Sequence, residues 1–234
     1  LKLQEGLALH SGVLDIRVDL DRSGETLGVD AQVTIDQLAG TVALSNGQAR
    51  AVSLEDAVTV SVKGTVTDKD LDIKVLKLES SFLNGSGSGN LDNLTVTLNA
   101  KLAPALAELS KFVDLGLWQA RGDAQLTLSV EKQADDDRKL DLTLSSESLF
   151  LANGEQVLLP QQPVELGVLA HVDIPAEGFL DRVKTLEITL QSLVAKGRIT
   201  GKDMVLPRGK GDAKAPLTIG SLDIGTTLNL GMLS

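Results

Sequence analysis

Cysteine and tyrosine are absent from this chain of 234 residues, tryptophan occurs once and phenylalanine four times. Without cysteine there is no disulfide, no thiolate metal site and no cysteine nucleophile. Aromatic residues make up 2% of the composition, so the stacking platforms that most sugar, nucleotide and base sites use are nearly missing. No stretch reaches the roughly 18–20 continuous apolar residues of a membrane-spanning helix, and no secretory leader pattern is visible. An excess of basic residues is lacking too. The formal net charge is -10, which repels phosphate backbones and anionic membrane surfaces and excludes nucleic acid as an expected partner. Contact with lipid tails depends on apolar area and is untouched by this argument.

What is present is strict alternation. Leu14, Ile16, Val18 and Leu20 alternate with Asp15, Arg17 and Asp19, and Leu27 to Ile35 alternate with Gly28, Asp30, Gln32 and Thr34. The same period of two runs through Val58, Val60, Val62 and Val66, through Leu94 to Leu102, through Ala124 to Val130, and through Leu140, Leu142 and Leu144. It returns in Val164 to Val172 and in Leu186, Ile188 and Leu190. Successive side chains of a strand point to opposite faces, so these runs predict antiparallel sheet, wet on one face and dry on the other. Hairpin turns are expected at Asp21-Arg22-Ser23-Gly24, Ser45-Asn46-Gly47, Asp68-Lys69-Asp70, residues 133–138 and Asn153-Gly154.

One segment changes period. Residues 104–113, PALAELSKFV, space Leu106, Leu109 and Val113 as a helix does, Pro104 suits a first turn, and Gly116 is expected to end it. A weaker helical turn is expected over residues 178–183. An internal echo links Leu78-Glu79-Ser80-Ser81-Phe82 through Gly85 and Gly89 with Leu190-Gln191-Ser192-Leu193-Val194 through Gly197 and Gly201, which predicts two related β units or a shared strand-turn chemistry. The expected organisation is a first β unit over residues 1–103, a short helix over 104–116, a second β unit over 117–206, a Gly/Lys-rich loop over 207–215 and a terminal strand within 216–234. Because the strand-like LKLQEGLAL opens directly at Leu1 without Met, a piece of a longer protein is expected, with other segments of that chain among its partners. The fold class is all-β: long, antiparallel, twisted sheet curved into a groove or sandwich, with one short helix near 104–113.

The search for chemistry yields little. In Gly85-Ser86-Gly87-Ser88-Gly89 a nucleophile elbow would need Ser where Gly87 stands, and a phosphate cradle would need a following helix, so a strand crossing or bulge is the better reading. Asp135-Asp136-Asp137 lacks the glycine and distal glutamate of a calcium loop and reads as a solvated turn. His10 and His171 stand apart in sequence, and neither has a local Asp/Glu/His cluster. Trp118 is expected to pack, and Phe82, Phe112, Phe150 and Phe179 read as core fillers. No catalytic, cofactor-binding or metal residue is assigned, no cofactor is expected, and the chain is expected not to be an enzyme.

The helix and its exit strand, Leu102-Ala103-Pro104-Ala105-Leu106-Ala107-Glu108-Leu109 through Leu117-Trp118-Gln119-Ala120-Arg121-Gly122-Asp123-Ala124, together with Leu186-Glu187-Ile188-Thr189-Leu190 to Gly197-Arg198-Ile199-Thr200-Gly201, resemble the AsmA-like proteins of Gram-negative envelopes over about residues 64–203. The resemblance implies a membrane-anchored protein of the periplasm or cell envelope. In that family a long curved sheet forms a groove with an apolar inner face, thought to carry lipid between membranes and to serve outer-membrane assembly. The family's site is a surface, so no functional residue carries over, and the implied ligand is a phospholipid or other acyl chain. Two other classes remain open on the residues alone: a structural or adhesive β module with a sealed core, and a hydrolase on a β scaffold.

Overall fold

The computed structural model describes residues 2–3, 6–43, 48–67, 70–90, 92–174, 182–205 and 218–228. Sixteen strands and one helix follow in chain order: β1 (Lys2–Leu3), β2 (Leu7–Ser23), β3 (Thr26–Ala43), β4 (Ala49–Ser53), β5 (Val58–Val66), β6 (Leu71–Glu79), β7 (Leu83–Asn90), β8 (Asn93–Lys101), α1 (Leu102–Leu109), β9 (Val113–Asp114), β10 (Trp118–Arg121), β11 (Asp123–Lys132), β12 (Asp137–Asn153), β13 (Gln156–Asp173), β14 (Arg182–Ser192), β15 (Ala195–Val205) and β16 (Ser221–Leu228). Among the described residues the protein is all-β apart from α1. Hydrogen-bonded neighbours run in the order β16-β15-β14-β13-β12-β11-β8-β7-β6-β5-β3-β2, with β10 on β12, β4 on β3, and β1 paired separately with β9.

Two long hairpins have the same dimensions. β2 and β12 have 17 residues each, and β3 and β13 have 18 each. They turn at Gly24-Glu25 and Gly154-Glu155, with φ of +63° and +61° at the glycines. A glycine with positive φ at the first central position is what a two-residue type II′ loop needs to match the twist of its strands. Asp21, Arg22 and Ser23 therefore belong to β2, with Ser23 opposite Thr26, and the turn is shorter than the expected four residues. A second kind of turn also recurs. Ser80 and Ser192 each receive a hydrogen bond from the backbone N–H three residues on, at 2.9 Å from Leu83 and 3.0 Å from Ala195, and Phe82 and Val194 are buried inside these turns. The sequence echo thus falls on one shared strand-turn chemistry.

β12 and β13 are longer than the alternation predicted, since the β13 run is interrupted by Pro160 and Pro163. Pairing of β13 with β14 starts only at Val164, opposite Ser192, so neither proline has to donate an N–H to β14. Asp68 and Lys69 lie outside the described residues, but Thr67 N–H to Asp70 O at 2.9 Å closes that hairpin. Ser45-Asn46-Gly47, Phe179 and the loop over 207–215 also lie outside them. The expected terminal strand is β16, with an isolated bridge from Val205 to Thr218 ahead of it.

The helix differs from expectation at both ends. It begins at Leu102, which the alternation had assigned to a strand, and stops at Leu109. Pro104 still sits in its first turn, where amide groups have no intrahelical partner. Ser110 Oγ donates to Ala107 O at 2.9 Å, and Val113 is already a strand residue opposite Leu3. Gly116 does not end the helix but lies in the next turn, with φ +58° and its N–H donating to Asp114 Oδ1 at 2.9 Å. Of the weaker helical turn over 178–183, residues 178–181 lie outside the described residues. Arg182 and Val183 are strand residues opposite Val205 and Met204, which corrects that expectation there.

By compactness the chain divides into two units. The first comprises Leu1–Ser88, Leu98–Ala124 and Ser148–Gln161; the second comprises Gly89–Thr97, Gln125–Glu147 and Gln162–Ser234. In the first, Lys111 ties α1 to the segment after β4: its Nζ donates to Glu108 Oε1 at 2.7 Å, Glu55 Oε1 at 2.9 Å and Ser53 O at 3.1 Å. Burial pulls the Lys111 ammonium down, but Glu108 and Glu55 outweigh it and hold its pKa above the ordinary lysine value. In the second, Arg138 is buried in the 133–137 turn and donates to the carbonyls of Ala134, Asp135 and Asp137 and to Asp92. Few apolar side chains are fully covered. Among the described residues the buried ones are Val42, Val52, Phe82, Ala152, Ala170, Val172 and Val194.

Candidate functional site: an uncovered apolar sheet face

In the first unit the ladder stacks the alternating residues of β2, β3, β5 and β6 into rows. Ile16, Val33, Val60 and Leu78 form one row, and Val18, Ala31, Val62 and Leu76 the next. Leu20, Val29, Gly64 and Ile73 follow, with Leu14, Ile35 and Val58 at one end and Leu27, Val66 and Leu71, bordered by Arg22 on β2, at the other. Residues directly opposite share a face, so these rows make one apolar surface. From strand spacing and rise it measures about 30 Å along β3 and about 15 Å across.

No side chain on this surface is buried. Along β2 the exposure is greatest: Leu14 61%, Ile16 58%, Val18 54% and Leu20 62%. The reverse face is mostly polar, with Val13 opposite Asp36 and Val75 opposite Lys63 as exposed apolar exceptions. Arg17, Gln32, Ser61 and Lys77 form one of its rows, and Asp15, Thr34, Thr59 and Glu79 the next. Ion pairs lace it, with Lys63 to Asp30 at 2.7 Å and Lys77 to Glu79 at 2.6 Å. The hydrogen bond to Asp30 holds the Lys63 ammonium above the ordinary lysine value.

The second unit repeats the division. Val168, Ile188, Ile199 and Ile224 form one row across β13–β16, and Ala170, Leu186, Gly201 and Leu222 the next. Ala170 and Val172 are buried, whereas Leu222, Ile224 and Leu228 on β16 are exposed. The polar face carries a concavity of about 720 Å³ lined by His171, Thr185, Glu187, Arg198, Thr200 and Asp223 among others. Arg198 pairs there with Glu187 at 2.9 Å.

The residues singled out for chemistry are dispersed. His10 Nε2 lies 2.7 Å from Thr41 Oγ1 in the first unit. His171 Nδ1 stands 3.9 Å from Asp137 Oδ1 in the second, beyond hydrogen-bond length. Lys184 joins Asp137 and Asp173 at 3.2 and 2.6 Å, and Asp173 first, then Asp137, raises its pKa. Within the acidic turn, the carbonyls of Ala134, Asp135 and Asp137 already accept from the Arg138 guanidinium. Among the described residues no group of three or more His, Asp or Glu side chains is placed to hold a metal ion. The Gly85–Gly89 run lies within strand β7, its serines exposed and its glycines on the half-buried face. Trp118 is not packed as expected: it is 52% exposed at the start of β10. Phe82 is buried, Phe112 and Phe150 are half-buried, and Arg121 stacks over Phe150 at 5.3 Å.

No family model, curated protein or solved structure matches this chain.

Proposed function

We propose that this chain is a non-catalytic, lipid-handling β-groove segment of a cell-envelope protein, sheltering phospholipid or other acyl chains on its apolar sheet faces. The observation that carries the reading is the first unit's surface, with four strands of aliphatic side chains and none of them buried. Monomeric proteins rarely leave contiguous apolar patches beyond a few hundred Å² uncovered unless something binds them. Covering the four half-exposed side chains of β2 alone would return roughly 1 kcal/mol each. An acyl chain spans half of a bilayer's hydrocarbon core, about 15 Å, and the strip accommodates it over its full length. The aliphatic, aromatic-poor lining suits a saturated chain, which needs area and no directional contacts. The resemblance to AsmA-like proteins supports the same reading and adds the periplasm or envelope as location and outer-membrane homeostasis as role.

The test is native mass spectrometry and solvent extraction of the purified chain from a phospholipid-containing host, followed by titration with a fluorescent fatty acid. Bound phospholipid and saturable, competable fatty-acid binding are expected. Protein that carries no lipid and fails to bind the probe would leave a structural or adhesive β module as the better description.

A further inference from the structure

We infer that the turn pair carrying Leu117 and Trp118 is a docking tip that inserts into the interface of a zwitterionic phospholipid bilayer. The tip lies wholly in the first unit. It is built from the turn over residues 114–117 and the hairpin turn at Gly154-Glu155, joined by Gly154 N–H to Leu117 O at 3.0 Å and by pairing of Trp118 with Asn153. The Leu117 side chain lies over Gly154, where a Cβ would stand 3.3 Å from its Cδ1. Leu117 is 68% exposed, above every other large hydrophobic residue described, and the chain's one tryptophan beside it is 52% exposed. Val157 and Leu158, two and three residues past the turn, are exposed as well.

A protein with so few aromatic residues that holds its single tryptophan in solvent, beside its most exposed leucine, departs from ordinary packing. Tryptophan with a flanking leucine is the residue pair favoured at the headgroup level of a bilayer, where the ring is buried and the indole N–H stays wet. The charges beside the tip choose the lipid. Of the two exposed carboxylates that flank it, Asp114 stands opposite Lys2 in the β1–β9 pair, whereas Glu155 lies in the hairpin turn itself. The tip therefore has no excess of cations to select anionic headgroups, and Glu155 complements the outward ammonium of choline or ethanolamine headgroups. Indole adds cation–π attraction for the same group. This surface is separate from the open β2–β3–β5–β6 face, and the inference stands whether or not that face binds acyl chains.

Because Trp118 is the sole tryptophan, its fluorescence reports on this tip alone. Mixing the chain with phosphatidylcholine vesicles is expected to move the emission to shorter wavelength, and bromine-labelled acyl chains near the headgroup are expected to quench it. Leu117→Ser, at an exposed position, is expected to keep the circular-dichroism spectrum and to weaken vesicle co-sedimentation about tenfold, the loss of one leucine's transfer from water. Emission that does not respond to phosphatidylcholine overturns the inference, as does co-sedimentation indifferent to Leu117→Ser. A response confined to anionic vesicles overturns the assignment of the lipid. A concentration-dependent shift without lipid would mean that the tip meets a second copy of the chain instead.

Discussion

Replacing Ile16 and Val18 together by threonine separates an open sheet face from a sealed core. Both lie on β2, opposite Val33 and Ala31, and are 58% and 54% exposed. Full burial of such a side chain stabilises by about 1.5–3 kcal/mol, so less than half of that, roughly 1 kcal/mol each, is at stake here. Threonine is β-branched and fits the strand, and its hydroxyl remains in water. The double variant should therefore lose less than about 1.5 kcal/mol. If another layer covered the face, each substitution would leave a cavity and a hydroxyl without a partner, and the pair would cost about 4–5 kcal/mol. Urea denaturation followed by circular dichroism measures this, with the slope unchanged and only the midpoint moving. Fatty-acid affinity should fall about thirtyfold in the same protein, since two contacts worth roughly 1 kcal/mol each are removed from the bound state. A loss of stability as large as the covered-face figure, or stability and fatty-acid affinity that both stay unchanged, would refute the reasoning.

Three further outcomes follow from the packing. Val172, 1% exposed, is among the few fully covered side chains, and Val172→Ala should cost about 2 kcal/mol in the same urea assay, more than the two threonine substitutions combined. Asp92 accepts from Lys132 at 3.1 Å with Arg138 alongside, which holds its carboxyl below the ordinary carboxylate range. A carboxylate whose folded pKa is lowered contributes stability above its unfolded pKa of about 3.9 and loses it as pH falls through the folded value. The thermal midpoint should drop at acid pH below that point, with a shallower drop in Asp92→Asn. Gly89 has φ +122°, and a Cβ there would stand 1.8 Å from Asn93 O, so Gly89→Ala should destabilise by at least about 1–3 kcal/mol, read as a lowered urea midpoint.

The sheet was legible wherever one face is polar and the other aliphatic, because period two is imposed by backbone geometry. β2, β3, β5, β8, β11 and β14 all fall on such runs. β4 and β10, of five and four residues, are too short to show a period. The full length of β12–β13 was hidden by Pro160, Pro163 and the glutamines between them, a stretch along which β14 does not pair. The buried Gln162, whose Oε1 accepts from Leu193 N–H at 2.8 Å, gave no sequence signal, since the need for it arises from a turn 31 residues away. The helix ran past its predicted start because Leu102 fits both periods, and only the bond from its N–H to Gly122 O marks the change of direction. Alternation showed which residues share the apolar surface. It carried no information on whether that surface is covered, which depends on what packs above it. The exposed Trp118 was missed for the same reason.

The central claim, that aliphatic rows of β2 face solvent and take up acyl chains, is tested most directly by a single thiol. The chain has no cysteine, so Val18→Cys introduces one reporter in the middle of the surface. Its reaction with a charged, membrane-impermeant maleimide should approach the rate of the urea-unfolded protein and slow sharply after loading with phospholipid. A thiol that reacts only upon unfolding, or one whose rate is indifferent to lipid, would contradict the account.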